Sequence, residues 1–325
     1  MKSAARLALL TAALAVALLL GVRVGSVPLS LGDVVDALRG VGDATTVAIV
    51  RGLRLPRALQ AAFAGAALAT SGAVFQALLR NPLAEPYILG ISGGAAVGAV
   101  AALVLGWSAT VLPLAAFVGA LAAILLVFGV ARAVGSSLDT LVLLLAGVVV
   151  GAFFNALILL ALVFSDAATF RSALFWMMGS FSGSSWGGVG LALLYLLPGL
   201  AILFALARPL DLLALGEDTA AFLGTPVERV KLLAYGTASL LVAAAVATSG
   251  IIGFVGLVVP HAVRLAWGSG HRFLLPASAL LGAAFLVLTD ALARTAAAPT
   301  EIPVGVVTAF VGVPFFLWLL RRRPA

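Results

Sequence analysis

Apolar positions along the chain fall into ten runs, most of them about as long as a helix needs to cross a bilayer. Short polar or glycine-rich stretches separate the runs. A helix satisfies its own backbone hydrogen bonds in lipid, so the pattern predicts an all-α polytopic membrane protein with about ten transmembrane helices. The predicted spans are roughly 7–22, 57–79, 88–106, 112–132, 140–164, 187–206, 228–250, 251–268, 275–294 and 303–320.

The eighth predicted span is the weakest, because Gly250, Gly253, Gly256 and Pro260 interrupt it. We keep it because an even number of spans leaves both basic ends of the chain on one side. The first run is expected to remain as a span rather than to be cleaved as a signal peptide. Its apolar core is long, and no clear small-x-small cleavage site precedes Gly25.

Composition agrees with a chain that lies mostly in lipid. Hydrophobic residues make up 63% of the 325 residues, charged residues make up 10%, and the mean hydropathy is +1.24. The formal net charge is +7, but the basic residues are scattered at the ends of the spans, as membrane topology requires. We therefore expect a lipid membrane and no nucleic acid as the partner of these charges.

The basic residues also indicate an orientation. With both termini cytoplasmic, 12 of the 19 Lys and Arg residues lie on the inner side and seven on the outer side, which follows the positive-inside rule. The outer seven are Arg23, Arg39, Arg51, Arg54, Arg57, Arg171 and Arg294.

Three of the outer arginines recur every third residue. This spacing predicts that Arg51, Arg54 and Arg57 share one face of the helical approach to the second span. With Arg294 they would form a positive outer patch suited to the carboxylates of a soluble partner. The alternative is that they reach for lipid headgroups.

The stretch R-N-P-L-A-E-P-Y-I-L-G, residues 80–90, predicts a turn at a membrane face. Pro82 and Pro86 lie four residues apart and disfavour a regular helix there. The neighbouring charged and amide side chains are costly in hydrocarbon. A stiff polar turn between two spans is a candidate gate or docking contact.

Three further segments are too polar to span. The outer segments 25–53 and 165–186 are each predicted to contain a short surface helix. The inner segment 207–229 alternates leucines with charges, and Gly216 and Gly224 divide it into two short amphipathic helices. The apolar face of such an inner loop either lies on the bilayer or binds a partner.

Catalytic chemistry is poorly supported. The chain has no cysteine, its only histidines are His261 and His271, and no H-E-x-x-H or G-x-S-x-G motif is present, so no metal or catalytic site is predicted. Lys2 and Lys231 do not follow a glycine, which excludes a G-x-x-x-x-G-K-S/T phosphate loop. Asp290, four residues before Arg294, predicts a local ion pair.

Two G-x-x-x-G pairs allow helices to approach closely. They are Gly94 with Gly98 and Gly147 with Gly151, and they serve either internal packing or a dimer seam.

Six stretches of the sequence, in order, resemble one family. They are R-L-P-R-A-L-Q-A-A-F-A-G-A-A-L-A-T-S-G-A-V-F-Q-A-L-L-R-N-P-L-A-E-P (54–86), L-L-L-A-G-V (143–148), F-W-M-M-G-S (175–180), L-A-L-G-E-D-T-A-A-F-L-G (213–224), G-F-V-G-L-V-V-P-H-A-V-R-L (253–265) and E-I-P-V-G-V-V-T (301–308). The chain resembles the FecCD-type permeases of type II ABC importers for iron–siderophore complexes, haem and cobalamin.

The resemblance implies a single permease domain over residues 1–325 in a bacterial cytoplasmic (inner) membrane. Two copies would enclose the path, two ATPase subunits would bind ATP and Mg below, and a periplasmic binding protein would deliver cargo above. The chain itself would hold no cofactor and catalyse no reaction. ATPase coupling is then implied for Leu212, Leu213, Leu215, Gly216, Glu217, Leu223 and Gly224.

The same resemblance places other functional residues. Binding-protein docking falls on Arg54, Arg57 and Arg294. The cytoplasmic gate falls on Asn81, Leu83, Thr140 and Leu141, where Leu141 departs from the pattern because a small polar residue can stand there. Asn155 is the polar point of the fifth span, which would line the path.

Two other classes of function remain as alternatives. An ion-gradient-driven secondary transporter needs buried ionisable residues near the bilayer midplane, where Asn155 and small hydroxyls are the candidates. An intramembrane enzyme needs a paired catalytic set that the sequence does not offer. For the cargo, an iron complex with haem or a siderophore comes first and cobalamin second, although neither histidine is a convincing haem ligand.

Overall fold

The computed structural model describes residues 2–134 and 140–321, and their regular secondary structure is entirely helical. Ten principal helices follow the predicted spans. They are α1 (Lys2–Arg23), α4 (Leu55–Leu78), α5 (Ile91–Val104), α6 (Leu112–Val134), α7 (Thr140–Val163), α9 (Trp186–Ala205), α12 (Val227–Ser249), α13 (Val255–Trp267), α14 (His271–Thr295) and α15 (Val304–Arg321).

Five shorter helices lie in the polar segments, namely α2 (Leu31–Arg39), α3 (Ala44–Val47), α8 (Ala167–Met177), α10 (Ala207–Ala214) and α11 (Glu217–Phe222). The predicted surface helices in 25–53 and 165–186 are thus confirmed. In α2, Ser30 and Asp33 form a reciprocal capping box, which explains where that helix begins.

Seven helices are long and apolar enough to cross a bilayer by themselves, and α5, α13 and α15 are shorter apolar helices. The weak eighth span corresponds to α13, which has only 13 residues. Gly250 ends α12 with φ 70°, and Phe254 precedes α13 with φ 68°. The backbone between them is irregular and lies against other protein segments, where non-helical backbone is tolerated at membrane depth.

Helix α4 is the centre of the bundle. It packs against α1, α9, α12, α13 and α14, and most of its residues are buried. Two glycines permit this closeness. A Cβ at Gly65 would lie 2.1 Å from the Gly282 carbonyl oxygen, and a Cβ at Gly72 would lie 2.0 Å from the Gly256 oxygen. Only glycine avoids a clash at such distances.

The first predicted glycine pair serves internal packing. A Cβ at Gly94 would lie 2.3 Å from the oxygen of Gly119, and one at Gly98 would lie 2.1 Å from the oxygen of Ala115, so both glycines bring α5 against α6. Gly147 similarly approaches the turn before α5, whereas a Cβ at Gly151 would meet no atom within 4 Å.

Candidate functional site

The inner segment 207–229, which we call the coupling segment, has the predicted form of two short helices. Gly216 separates α10 from α11 with φ 125°, and Gly224 follows α11 with φ 82°. Both conformations disfavour residues that carry a Cβ. The prediction that these glycines divide the segment is confirmed.

The apolar residues of the coupling segment do not all face outward. Leu213 is buried against the bundle and Leu212 is half-buried. Leu215, Phe222 and Leu223 are exposed, and Phe222 is 92% exposed. These last three form the exposed apolar surface that a partner could cover, and we call them the apolar trio.

Each coupling helix also carries an acidic residue that is paired with a basic residue of a long helix. Both carboxylate oxygens of Glu217 on α11 lie 3.0 Å from the Lys231 ammonium on α12. On α10, Asp211 Oδ1 accepts from the backbone N–H of His271 at 2.9 Å and lies 2.6 Å from His271 Nδ1 on α14. The sequence analysis missed both pairs. The available signal was Lys231, a single lysine near the start of an apolar span.

The turn at residues 80–83 lies beside the coupling segment. The Asn81 side-chain oxygen accepts from Leu83 N at 2.9 Å, and Arg80 adopts φ 48°. A Cβ on Gly216 would be 3.9 Å from the Arg80 guanidinium. Asn81 is exposed and Leu83 half-buried. The turn therefore lies next to the coupling segment, and its gating role stays a prediction.

The other gate residues begin α7. Thr140 is half-buried and Leu141 is exposed at the first turn of this helix, directly after residues 135–139, which lie outside the described part of the chain. Asn155 is also exposed, on a face of α7 that includes Leu145, Val148 and other uncovered apolar side chains. That face has the uncovered character that a path or a second copy requires, and the roles of Asn155, Thr140 and Leu141 remain untested.

The three regularly spaced outer arginines do not share a face, and this expectation was wrong. Residues 48–54 form a π-helical stretch, whose wider turn breaks the three-residue spacing that an α-helix would align. Arg51 is exposed and donates to Leu38 O, whereas Arg54 is buried and donates to the carbonyls of Arg23 and Val27 at 2.7 and 2.6 Å.

An ion network holds the other two predicted docking arginines. Arg57 donates to Asp290 at 2.9–3.1 Å and to Glu301 at 2.8–3.0 Å. Arg294 Nε lies 3.1 Å from Asp290, which confirms the predicted local pair, and Arg294 also donates to Gly21 O at 2.8 Å. Asp290 is only 1% exposed, so it is a shared buried counter-ion. Of the four arginines in the predicted outer patch, Arg51 is exposed, Arg54 and Arg294 are buried, and Arg57 lies between two carboxylates.

A mostly apolar cavity of about 610 Å³ lies between the end of α8, the irregular stretch before α13 and α15. Met177, Met178, Phe254 and Phe310 are among its lining residues. Tyr87 fixes the irregular stretch by donating to Ile252 O at 2.9 Å. Within residues 2–134 and 140–321, no group of three His, Asp or Glu side chains is placed to hold a metal ion.

Comparisons with known proteins agree on one family. Residues 13–322 match the FecCD transport family. The chain is 49% identical over 281 residues to a cobalamin import system permease protein BtuC of Halobacterium salinarum, covering 86% of this chain and 75% of that protein. It is 48% identical over 273 residues to a vitamin B12 import system permease protein BtuC of Vibrio vulnificus, covering 83% of this chain and 82% of that one.

The solved structures show the same architecture. A metal-chelate type ABC transporter in an inward-facing conformation superposes with a TM-score of 0.88 at 34% identity, covering 98% of this chain and 99% of that one. A second match, PsaBC from Streptococcus pneumoniae in complex with Fab, has a TM-score of 0.61 at 17% identity and supports the fold alone.

Proposed function

This chain belongs to the FecCD transport family and is a multi-pass, non-catalytic permease subunit of an ABC importer for cobalamin or an iron chelate, and from that premise we propose how it works. Two copies enclose a path along their α7 helices, with both termini cytoplasmic in a bacterial inner membrane. Two ATPase subunits, which hold the ATP and Mg, bind the coupling segments. A periplasmic binding protein delivers the cargo. Residues 1–325 act as one permease domain.

The apolar trio carries the ATPase part of this proposal. Leu215, Phe222 and Leu223 are exposed on short inner helices that pack against the bundle by their other faces. A rigid apolar projection of this kind fits the hydrophobic centre of a protein interface better than it fits water. The ion-gradient alternative loses its support, because family membership places energy conversion on a separate ATPase.

Cobalamin is the first candidate for the cargo. The relatives at 49% and 48% identity are named as cobalamin and vitamin B12 permeases, which reverses the order inferred from the sequence alone. An iron or other metal chelate is the second candidate, because the superposing structure at 34% identity is of the metal-chelate type.

Transport into proteoliposomes tests the cargo and the energy source together. The purified permease, its ATPase and its binding protein are reconstituted, and uptake of cobalamin, a ferric siderophore and haem is measured with ATP or with an ion gradient alone. We expect cobalamin uptake that requires ATP. Uptake that persists without ATP and collapses with the ion gradient would contradict the importer mechanism, and uptake of a chelate alone would reverse the cargo order.

Two truncations test the ATPase contact. Phe222→Ala is expected to weaken ATPase co-purification by about 30-fold, the effect of a 2 kcal/mol interface residue. The matched control is Leu125→Ala on α6, which removes another strongly exposed apolar side chain, 71% exposed, away from the coupling segment. Equal losses in both variants would show that the apolar trio is not the contact.

A further inference from the structure

The two coupling helices are fastened to two different long helices. Asp211 fastens α10 to His271 at the start of α14, and Glu217 fastens α11 to Lys231 in the second turn of α12. Packing overlaps with this division: α10 packs mainly against α4 and α14 but also touches α12 and α9, while α11 contacts α12. One surface element is therefore connected to two parts of the bundle, by a Glu–Lys ion pair on α11 and by an Asp–His hydrogen-bonded pair on α10.

Burial makes these pairs hard to separate. Lys231 is only 2% exposed, and in the described part of the chain its ammonium is paired with Glu217 alone. Removing Glu217 from Lys231 would leave a buried cation without a counter-ion, which is strongly unfavourable. His271 is buried as well, and Asp211 accepts from both its ring and its backbone N–H. When a coupling helix moves, its partner helix has to follow.

Between the two attachments stands Gly216, whose φ of 125° is open to glycine and strained for other residues. The segment thus has two arms that meet at one glycine. Leu215 of the apolar trio directly precedes this glycine, and Phe222 and Leu223 lie at the end of α11. A force applied to the apolar trio would therefore act on both arms.

We propose that the coupling segment is a forked link, in which the Asp211 arm passes ATPase-driven movement to α14 and the Glu217 arm passes it to α12. Glu217 is a positioning residue that acts through Lys231, and Asp211 is one that acts through His271. Glu217 is not itself the ATPase contact. This inference rests on the proposed function, because it requires an ATPase bound at the apolar trio.

The test measures cargo transported per ATP hydrolysed in the reconstituted complex, beside ATPase co-purification. Lys231→Met removes the buried charge at a residue that no ATPase can touch. We expect co-purification and ATP hydrolysis to persist while transport per ATP falls by about 5- to 150-fold, the range of a typical coupling between sites. The control is Arg132→Met, which removes an exposed inner cation on α6 and should leave the ratio unchanged.

Three further variants separate a loss of coupling from a loss of folding. Glu217→Gln changes a part-exposed residue and should lower transport per ATP in the same direction. The double variant Glu217→Lys with Lys231→Glu restores an ion pair with reversed polarity and should recover most of the ratio. Asp211→Ala should lower the ratio through the other arm.

The outcomes distinguish the inference from its premise. Wild-type transport per ATP in Lys231→Met and Glu217→Gln would overturn the forked link, and so would a loss of ATPase binding in Glu217→Gln that Lys231→Met does not share. If the wild-type permease retains no ATPase at all, the proposed function fails first and the link with it.

Discussion

Removing the shared carboxylate of the outer ion network should destabilise the permease far more than removing its exposed neighbour. Asp290→Asn withdraws the buried charge that faces both Arg57 and Arg294. Breaking a buried pair from one side typically costs 3–5 kcal/mol. Arg57 keeps Glu301 and Arg294 keeps the Gly21 carbonyl, so we expect about 3 kcal/mol, the lower end of that range.

The matched comparison is Glu301→Gln. Glu301 is 41% exposed, and Arg57 retains Asp290 after the change, so the expected cost is below about 1 kcal/mol. The assay is the midpoint of thermal unfolding of the purified permease in detergent. Asp290→Asn should lower the midpoint by about 5 °C or more, and Glu301→Gln by much less. A wild-type midpoint for Asp290→Asn, or a larger loss for Glu301→Gln, would refute the view that burial decides the strength of this network.

The remaining predictions concern packing, pH and docking. Gly72→Ala should prevent stable insertion or folding, because its Cβ would lie 2.0 Å from a backbone carbonyl oxygen. Gly236→Ala has no neighbour within 4 Å of the new Cβ and should stabilise α12 by about 1 kcal/mol in the same detergent assay. Burial raises the pKa of the Glu85 carboxyl in the turn outside the helices above its ordinary 4.5. The stability that the protonated carboxyl contributes is therefore present below pH 4.5 and lost as pH rises through the raised pKa, and Glu85→Gln should flatten the dependence of the thermal midpoint on pH above 4.5. If a carboxylate of the binding protein docks on Arg57, Glu301→Gln should strengthen capture of the binding protein in a pull-down, because Glu301 no longer competes for Arg57. Unchanged capture would count against Arg57 as the contact.

The positions of the spans follow from the sequence because hydrophobicity is a local property. All ten apolar runs became helices, and the glycines of the coupling segment ended helices where a left-handed or extended backbone was required. Local pattern also predicted the Asp290–Arg294 pair, since four residues of α-helix place the two side chains on one face.

Long-range pairs and altered helical geometry lay beyond that kind of reasoning. Arg57 and Asp290 are 233 residues apart in sequence, so only the packing of α4 on α14 brings them together. The prediction that the three outer arginines share a face was wrong because it assumed 3.6 residues per turn. The π-helical stretch before α4 has a wider turn. Few charged side chains lie inside a membrane protein, and those that do are usually paired. A lysine near the start of an apolar span, such as Lys231, therefore indicates a nearby carboxylate.

The packing gives the two arms of the forked link different consequences. Helix α14, at the end of the Asp211 arm, packs on α1, α4, α13 and α15 and is tied to α4 again by the outer network. Helix α12, at the end of the Glu217 arm, also packs on α4 and on α9, and it packs in addition on α5 and α6, which in turn carry α7 with its uncovered face. Both arms therefore reach the rigid centre at α4, and the Glu217 arm reaches in addition, through α5 and α6, the helix proposed to line the path. Because the contacts with α5 and α6 are made by α12, we expect Glu217→Gln to lower transport per ATP more than Asp211→Ala does, and equal losses would contradict a special route to α7.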